Sequence, residues 1–442
     1  MIQLNRRNFL KGCSAAIAGM AGAKIGLTAF GNVDNEPNQR IIIPIFLRGA
    51  CDVLSVVTPM YGDDRAHYET ARPDLRIPVS DLIALDSQFG LHPSATALHD
   101  IFQDNKLSFI LGTGMHSDTR SHFDAMAYME GGTPNRKGLG GWLTRYLRSA
   151  TNINDDAIVT NMTTSSSRPR SLSGTFNTLA GSNLQNFNIR NDLHWQYRDQ
   201  HQSLLQNLYA LDDSFLHQAG QEAFEQISYI SNNYDSNYTA AGGVTYPNNS
   251  FSSQLETIAQ IIKLQIGLKV AAVDLGGWDT HDGQANGSDP SSGYFANLLT
   301  TLSEGIGAFF ADLSAESTNY ADRVTIVVMS EFGRRVRENA ERGTDHGHGS
   351  MMMLIGGQVQ GGIKGIWPGL HNDQLYDAAD LAVKVDYRQV LSEILIRRME
   401  APKIGTIFPN YEGYTPLNLV QGVDLEPDYT AEFKSFLPQL QK

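Results

Sequence analysis

Carboxylates and imidazoles recur in short clusters along this chain. They are Asp52, the run at residues 117–124 (SDTRSHFD), Asp279 with His281, Glu331, and Asp345-His346-Gly347-His348. Donors of this kind suit a divalent metal, Zn²⁺ or, where oxygen ligands dominate, Mn²⁺. Asp279 and His281 stand two residues apart, so in an extended segment their side chains share a face. His346 and His348 repeat that spacing, and Gly347 lets the backbone fold close around an ion. The segment Thr119-Arg120-Ser121-His122-Phe123-Asp124 opens a helix predicted to run to Glu130. Thr119 or Ser121 then lies near a helix N-terminus, where free N–H groups and the dipole stabilise an anion. A hydroxyl there, with Arg120 beside it, can attack or cradle a phosphoryl group. The plainer role for Ser121 is an N-cap.

The apolar runs between these clusters must position them. Residues 40–47 (RIIIPIFL) form a continuous apolar run that breaks into Arg48-Gly49-Ala50-Cys51-Asp52. Runs at 106–112, 268–274 and 323–329 break in the same way into Met115-His116-Ser117, Gly276-Gly277-Trp278-Asp279 and Ser330-Glu331-Phe332-Gly333. Such runs read as buried strands emptying into loops. Helical stretches at 95–103, 253–268 and 294–313 alternate with them. That alternation predicts an α/β fold, a mainly parallel central sheet with helices on both faces. Ligands of such sheets bind outside the carboxyl ends of the strands, where the polar clusters fall. Residues 151–252 differ, being rich in Asn, Ser and Gln, with a helix expected near 202–230 and a loop at 232–252. They are expected to form an insertion or cap on a domain spanning 40–442. Glycine runs at 131–132, 138–141 and 356–362 lack the spacing of a P-loop or a dinucleotide fingerprint.

The N-terminus carries an address. Arg6-Arg7 precede a Gly/Ala-rich apolar stretch, the pattern of a twin-arginine signal over residues 1–31. The stretch is too short and too weakly apolar to span a bilayer, and Cys13 precedes it, so no stable membrane anchor is expected. The expected location is periplasmic or secreted, with the twin-arginine export machinery as a partner. Residues 1–31 hold four of the 34 basic residues and none of the 47 acidic ones, leaving a mature net charge of 30 − 47 = −17. Such a surface repels nucleic acid, which is not an expected partner. It also repels an anionic substrate unless a metal or local arginines reverse the field. Only Cys51 remains once the signal is gone, which excludes an internal disulfide and predicts a buried thiol.

Together the motifs resemble the exported family called domain of unknown function 1501. The segments that carry the likeness are FLRGACDVLSVVTPMYGD (46–63), GLHPSATAL (90–98), TRSHFDAMAYMEGGTPN (119–135), GGWDTH (276–281), SEFGRRVRENAERGTDHGHGSMMMLIGG (330–357) and DYRQVLSEIL (386–395). The resemblance implies an alkaline phosphatase and sulfatase-like fold with one or two divalent metals. By position it implies that Asp52 is the first metal Asp, Asp279 and His281 an Asp/His pair, Glu331 a strand-end carboxylate, and His346 or His348 the closing histidine. Phe332 stands where that pattern has His or Asn, and His122, His346 or His348 would compensate. The sulfatase Cys-x-Pro-Ser-Arg motif is absent from the chain. Ser121 is the first candidate nucleophile and Thr119 the second, with Arg120 and Arg334 to stabilise charge on the transferred group.

Two functions follow. One is an exported metal-dependent hydrolase of phosphate, sulfate or related esters, acting on a small anionic ester or a surface polymer. The other is a non-catalytic exported binding protein that keeps the phosphatase-like fold.

Overall fold

The computed structural model describes residues 39–431 apart from 139, 155–156, 166, 176–177, 183, 185–194, 213, 236, 288 and 316–318. The twin-arginine segment therefore lies outside the described residues. Among the described residues, nine strands form the main sheet: β1 (Ile41–Leu47), β2 (Leu107–Gly114), β3 (Asn161–Thr163), β4 (Thr178–Ala180), β5 (Val270–Leu275), β6 (Val324–Ser330), β7 (Ser350–Ile355), β8 (Gly362–Gly365) and β9 (Val385–Asp386). Their order is β8-β2-β7-β6-β1-β5-β3-β4, with β9 also pairing to β2. All pairs are parallel except those of β7, which runs antiparallel to both β2 and β6.

The four predicted strands are β1, β2, β5 and β6, each within two residues of its expected bounds. β1 is the centre. Its Ile45 sits opposite Val273 on β5 and Val328 on β6. Ile41, Ile43, Ile45 and Leu47 enter one core and Ile42 and Phe46 the other, because successive strand side chains point to opposite faces. The first core takes helices α2 (Thr96–Gln103), α6 (Ser250–Lys263) and α7 (Tyr294–Ser314) through Leu98, Leu255, Ile258, Leu299 and Leu302. The second takes α3 (His122–Gly131) and α8 (Tyr387–Glu393) through Ala125, Met129, Val390 and Leu391. The architecture is thus a mostly parallel sheet covered on both faces. Helix α1 (Gly62–Ala71) lies between β1 and β2 in sequence and adds Tyr68 to the first core.

Two boundaries differ from expectation. α6 spans Ser250–Lys263 rather than 253–268, because the Asn249 side chain caps Ser252 N and the chain turns left-handed at Gln265 (φ 53°) and Gly267 (φ 96°). The section 151–252 supplies β3 and β4 to the edge of the sheet before it forms α4 (Trp195–Tyr209) and α5 (Phe215–Asn233). A single helix was expected for the latter two. Among the described residues, no helix is long and apolar enough to cross a membrane.

Candidate metal centre

The antiparallel strand β7 explains how distant motifs meet. His122, Asp279, His281 and Glu331 follow β2, β5 and β6 and so lie beyond the carboxyl ends of parallel strands. His346 precedes its strand, but β7 runs the other way, so its start falls on the same edge. Each side chain has a rigid support. His122 is the first residue of α3, behind the Ser121 cap. Asp279 follows Trp278, which is fully buried and packs edge-on against Phe295 at 5.5 Å. Gly49 (φ 117°) brings the β1 loop against this segment, where a Cβ would collide with the amide nitrogen of Asp279.

The Nε2 atoms of His122 and His281 each lie 2.8 Å from Nε2 of His346. Asp279 Oδ1 lies 3.4, 3.1 and 3.3 Å from Nε2 of His122, His281 and His346. The opposite ring nitrogens all have acceptors. Nδ1 of His122 meets Glu331 Oε1 at 2.8 Å, Nδ1 of His281 meets Asp345 Oδ1 at 2.9 Å, and Nδ1 of His346 meets the Arg120 carbonyl at 2.8 Å. A carbonyl oxygen can only accept, so the neutral His346 ring carries its proton on Nδ1 and presents a lone pair at Nε2. One lone pair cannot satisfy two imidazole nitrogens at 2.8 Å. A cation among these atoms removes the conflict. Four donors about 2.05 Å from a zinc ion would sit about 3.3 Å apart, close to the spacings found. The donor atoms of His122, Asp279 and His346 lie within 4.8 Å of one another, and His281 Nε2 is 2.8 Å from His346 Nε2 and 3.1 Å from Asp279 Oδ1. The residues present therefore fit a divalent metal, and three imidazoles with one carboxylate favour zinc over manganese.

The electrostatics prepare these groups to bind. Burial opposes charge on Asp279, but Arg334, His122 and His281 outweigh it and hold the carboxyl at about 2. The fully buried Arg334 gives its Nη2 to Asp279 Oδ1 at 2.5 Å, and it also donates to the carbonyls of Gly49, Ala50, Trp278 and Thr344. It ties three loops of the site together. The hydrogen bond to Glu331 raises the His122 pKa, against burial. Burial and the neighbouring charge of His122 lower that of His346. Phe332 stacks on His122 at 5.1 Å and packs on His346 at 5.2 Å, so it forms an apolar wall to the cluster where the resemblance expected a ligand.

The family known as Protein of unknown function (DUF1501) matches residues 39–401. The chain belongs to this family. No curated protein matches it. Among solved structures, a protein in the alkaline phosphatase superfamily from Vibrio parahaemolyticus is 10% identical, with 82% of this chain and 72% of that one covered and a TM-score of 0.33. A sulfatase from Pseudoalteromonas sp. is 9% identical over 80% and 68% of the two chains, with a TM-score of 0.33. A lipoteichoic acid synthase from Listeria monocytogenes is 8% identical over 95% and 85%, with a TM-score of 0.31. Scores of this size carry no argument about activity.

In this DUF1501 member, His122, Asp279, His281 and His346 come together. The other expected site residues stand elsewhere or act differently. Asp52 is fully buried and paired at both oxygens with Arg72, 2.6 and 2.9 Å away, and it also accepts from Ser55 and Gln284. Its lone pairs are used up within the protein. Glu331 is behind His122 rather than beside the donor cluster, and it accepts from Gly49 N and Ser330 Oγ as well. His348 stacks on Tyr376 at 4.0 Å, and burial lowers its pKa to about 4. Ser121 is exposed and its Oγ accepts from Asp124 N at 3.4 Å, the capping role. Thr119 Oγ1 accepts from Ser121 N, and the Arg120 guanidinium binds Asp380 at 2.6 Å. Arg334 is a buried staple, and Cys51 is buried as expected.

Sequence reasoning missed two contributors and the supporting role of a third. The carbonyl of Arg120 is backbone and leaves no signature. Arg72 follows a polar helix as its C-cap, with nothing to mark its partner. Asp345 stood in the DHGH motif, and its adjacency to His346 was the one available signal.

Proposed function

We propose that this DUF1501 member is an exported metal-dependent hydrolase of phosphate, sulfate or related esters. The observation that carries the reading is the convergence of Nε2 of His122, His281 and His346 on Asp279 Oδ1, with every Nδ1 held by an acceptor. Residues His122, Asp279 and His346 would hold the ion, with His281 alongside. When bound, a divalent cation supplies Lewis-acid polarisation of an ester oxygen and lowers the pKa of water. The chain's own contribution is orientation. Glu331 and the Arg120 carbonyl fix two imidazoles in the tautomer that offers Nε2. Arg334 neutralises the Asp279 charge, which lessens the repulsion an anionic ester would meet. With Ser121 occupied as a cap, water is the favoured nucleophile over the serine hydroxyl. The twin-arginine pattern read in residues 1–31 supports an activity outside the cytoplasm and suits a protein folded and loaded before export.

Turnover of a panel of phosphate and sulfate esters by the zinc-loaded protein tests the reading. Activity that disappears in Asp279→Ala and on chelation is expected. Turnover unchanged in Asp279→Ala would reject the assignment. Absence of turnover across the panel by a zinc-loaded protein would favour the binding-protein reading, to which the capping role of Ser121 also points.

A further inference from the structure

The three imidazoles of the centre are not equivalent. The side chains of His122 and His346 are 19% and 22% exposed, whereas that of His281 is 43% exposed. Their Nδ1 partners divide the same way. Glu331 is wholly buried and the Arg120 carbonyl is backbone, but the Asp345 side chain is 50% exposed. His122 and His346 also touch Phe332, which leaves little room for either ring to move. Among the described residues, the His281 ring contacts His346 and has no such wall. Yet its backbone is anchored, because Asn339 Nδ2 donates to the His281 carbonyl at 2.9 Å and to Asp345 Oδ1 at 3.2 Å.

We infer that His281 is the exchangeable ligand of this centre and that Asp345 is the tether that holds its ring in reach. The inference rests on the metal reading above. His122, Asp279 and His346 are the permanent ligands. Of the three imidazoles His281 is the one most open to solvent, so the position it would give up is where an ester oxygen would enter and where the ion would exchange. Rotation of the His281 ring would break its contacts with His346 and Asp279 without moving Phe332, and Asn339 would keep both the loop and Asp345 in place. Asp345 is a positioning residue in this scheme, since it acts only through His281.

Zinc retention and release by the full chain test this. Wild type, His281→Ala, His122→Ala and Asp345→Asn are loaded with Zn²⁺, desalted and analysed for metal, with circular dichroism to confirm the fold. Release to a chromogenic chelator is then timed. Wild type and His281→Ala are expected to keep zinc while His122→Ala loses it. Asp345→Asn is expected to release zinc about 10–100-fold faster than wild type. Loss of zinc from His281→Ala to the same extent as from His122→Ala overturns the inference, as does release from Asp345→Asn at the wild-type rate. A wild type that keeps no zinc overturns the metal reading itself, which is a different failure.

Discussion

The carbonyl oxygen of Arg120 accepts the Nδ1 proton of His346 at 2.8 Å, and this contact decides what His346 can do on its other side. Its Nε2 lone pair faces two further imidazole nitrogens, so the cluster binds either protons or a cation.

Metal affinity must therefore depend on pH. The hydrogen bond that His122 Nδ1 donates to Glu331 lifts the His122 pKa above its ordinary value of 6.5, so a proton takes the ligand atom at a higher pH than on a free imidazole. Proton occupancy rises as pH falls, and affinity falls with it, starting above pH 6.5. The zinc Kd, measured by competition, is expected to rise about tenfold per pH unit for each proton displaced. Equal Kd values at about pH 8 and about pH 6 would contradict the assignment.

Glu331 orients His122 from a fully buried position and also accepts from Gly49 N and Ser330 Oγ. Glu331→Gln keeps the shape and removes the charge. Zinc affinity is expected to drop about 10–100-fold with the fold retained. Unaltered affinity would show that Glu331 is only a structural acceptor.

Asp52 and Arg72 form a pair with 1% and 0% side-chain exposure, so removing one partner strands a buried charge. Arg72→Met is expected to cost about 3–5 kcal/mol in denaturant unfolding. Asp52→Asn should leave zinc content unchanged, since Arg72, Ser55 and Gln284 occupy its oxygens. Zinc lost from Asp52→Asn would restore Asp52 as a ligand.

His92 is buried, accepts from Ser94 N through Nδ1, and has its pKa pushed down by burial to about 4. The unfolded chain takes up this proton near 6.5 and the folded one only near 4, so the stability it contributes is full above 6.5 and lost as pH falls toward 4. His92→Asn keeps an acceptor for Ser94 N and removes the titration. Between about pH 7.5 and about pH 4, wild type is expected to lose about 3 kcal/mol more than this variant. An identical pH dependence for the two proteins would contradict the account.

The strands and the edge they share were legible because β1, β2, β5 and β6 are short apolar runs that end in glycine-containing loops. β7 was not. Ser350-Met-Met-Met-Leu-Ile has little β-branching, and a short apolar run of that kind has no period of its own. Missing its antiparallel direction did not hide His346, whose motif preceded the run. The sequence could mark which carboxylates lie near the edge, but not what else lies near them. Arg72 reaches Asp52 across 20 positions and Glu331 reaches His122 across 209, and these tertiary partners turn two expected ligands into a salt bridge and a support. His348 shares the motif of His346, but its ring stacks on Tyr376, a partner the motif does not reveal.

The central claim is that His122, Asp279 and His346 hold one divalent ion. Zinc titration of the metal-free full chain by calorimetry, repeated on His346→Ala, tests it most directly. One tight site per wild-type chain and none in the variant are expected. A wild type that binds no zinc, or a variant that binds it as tightly, would contradict it.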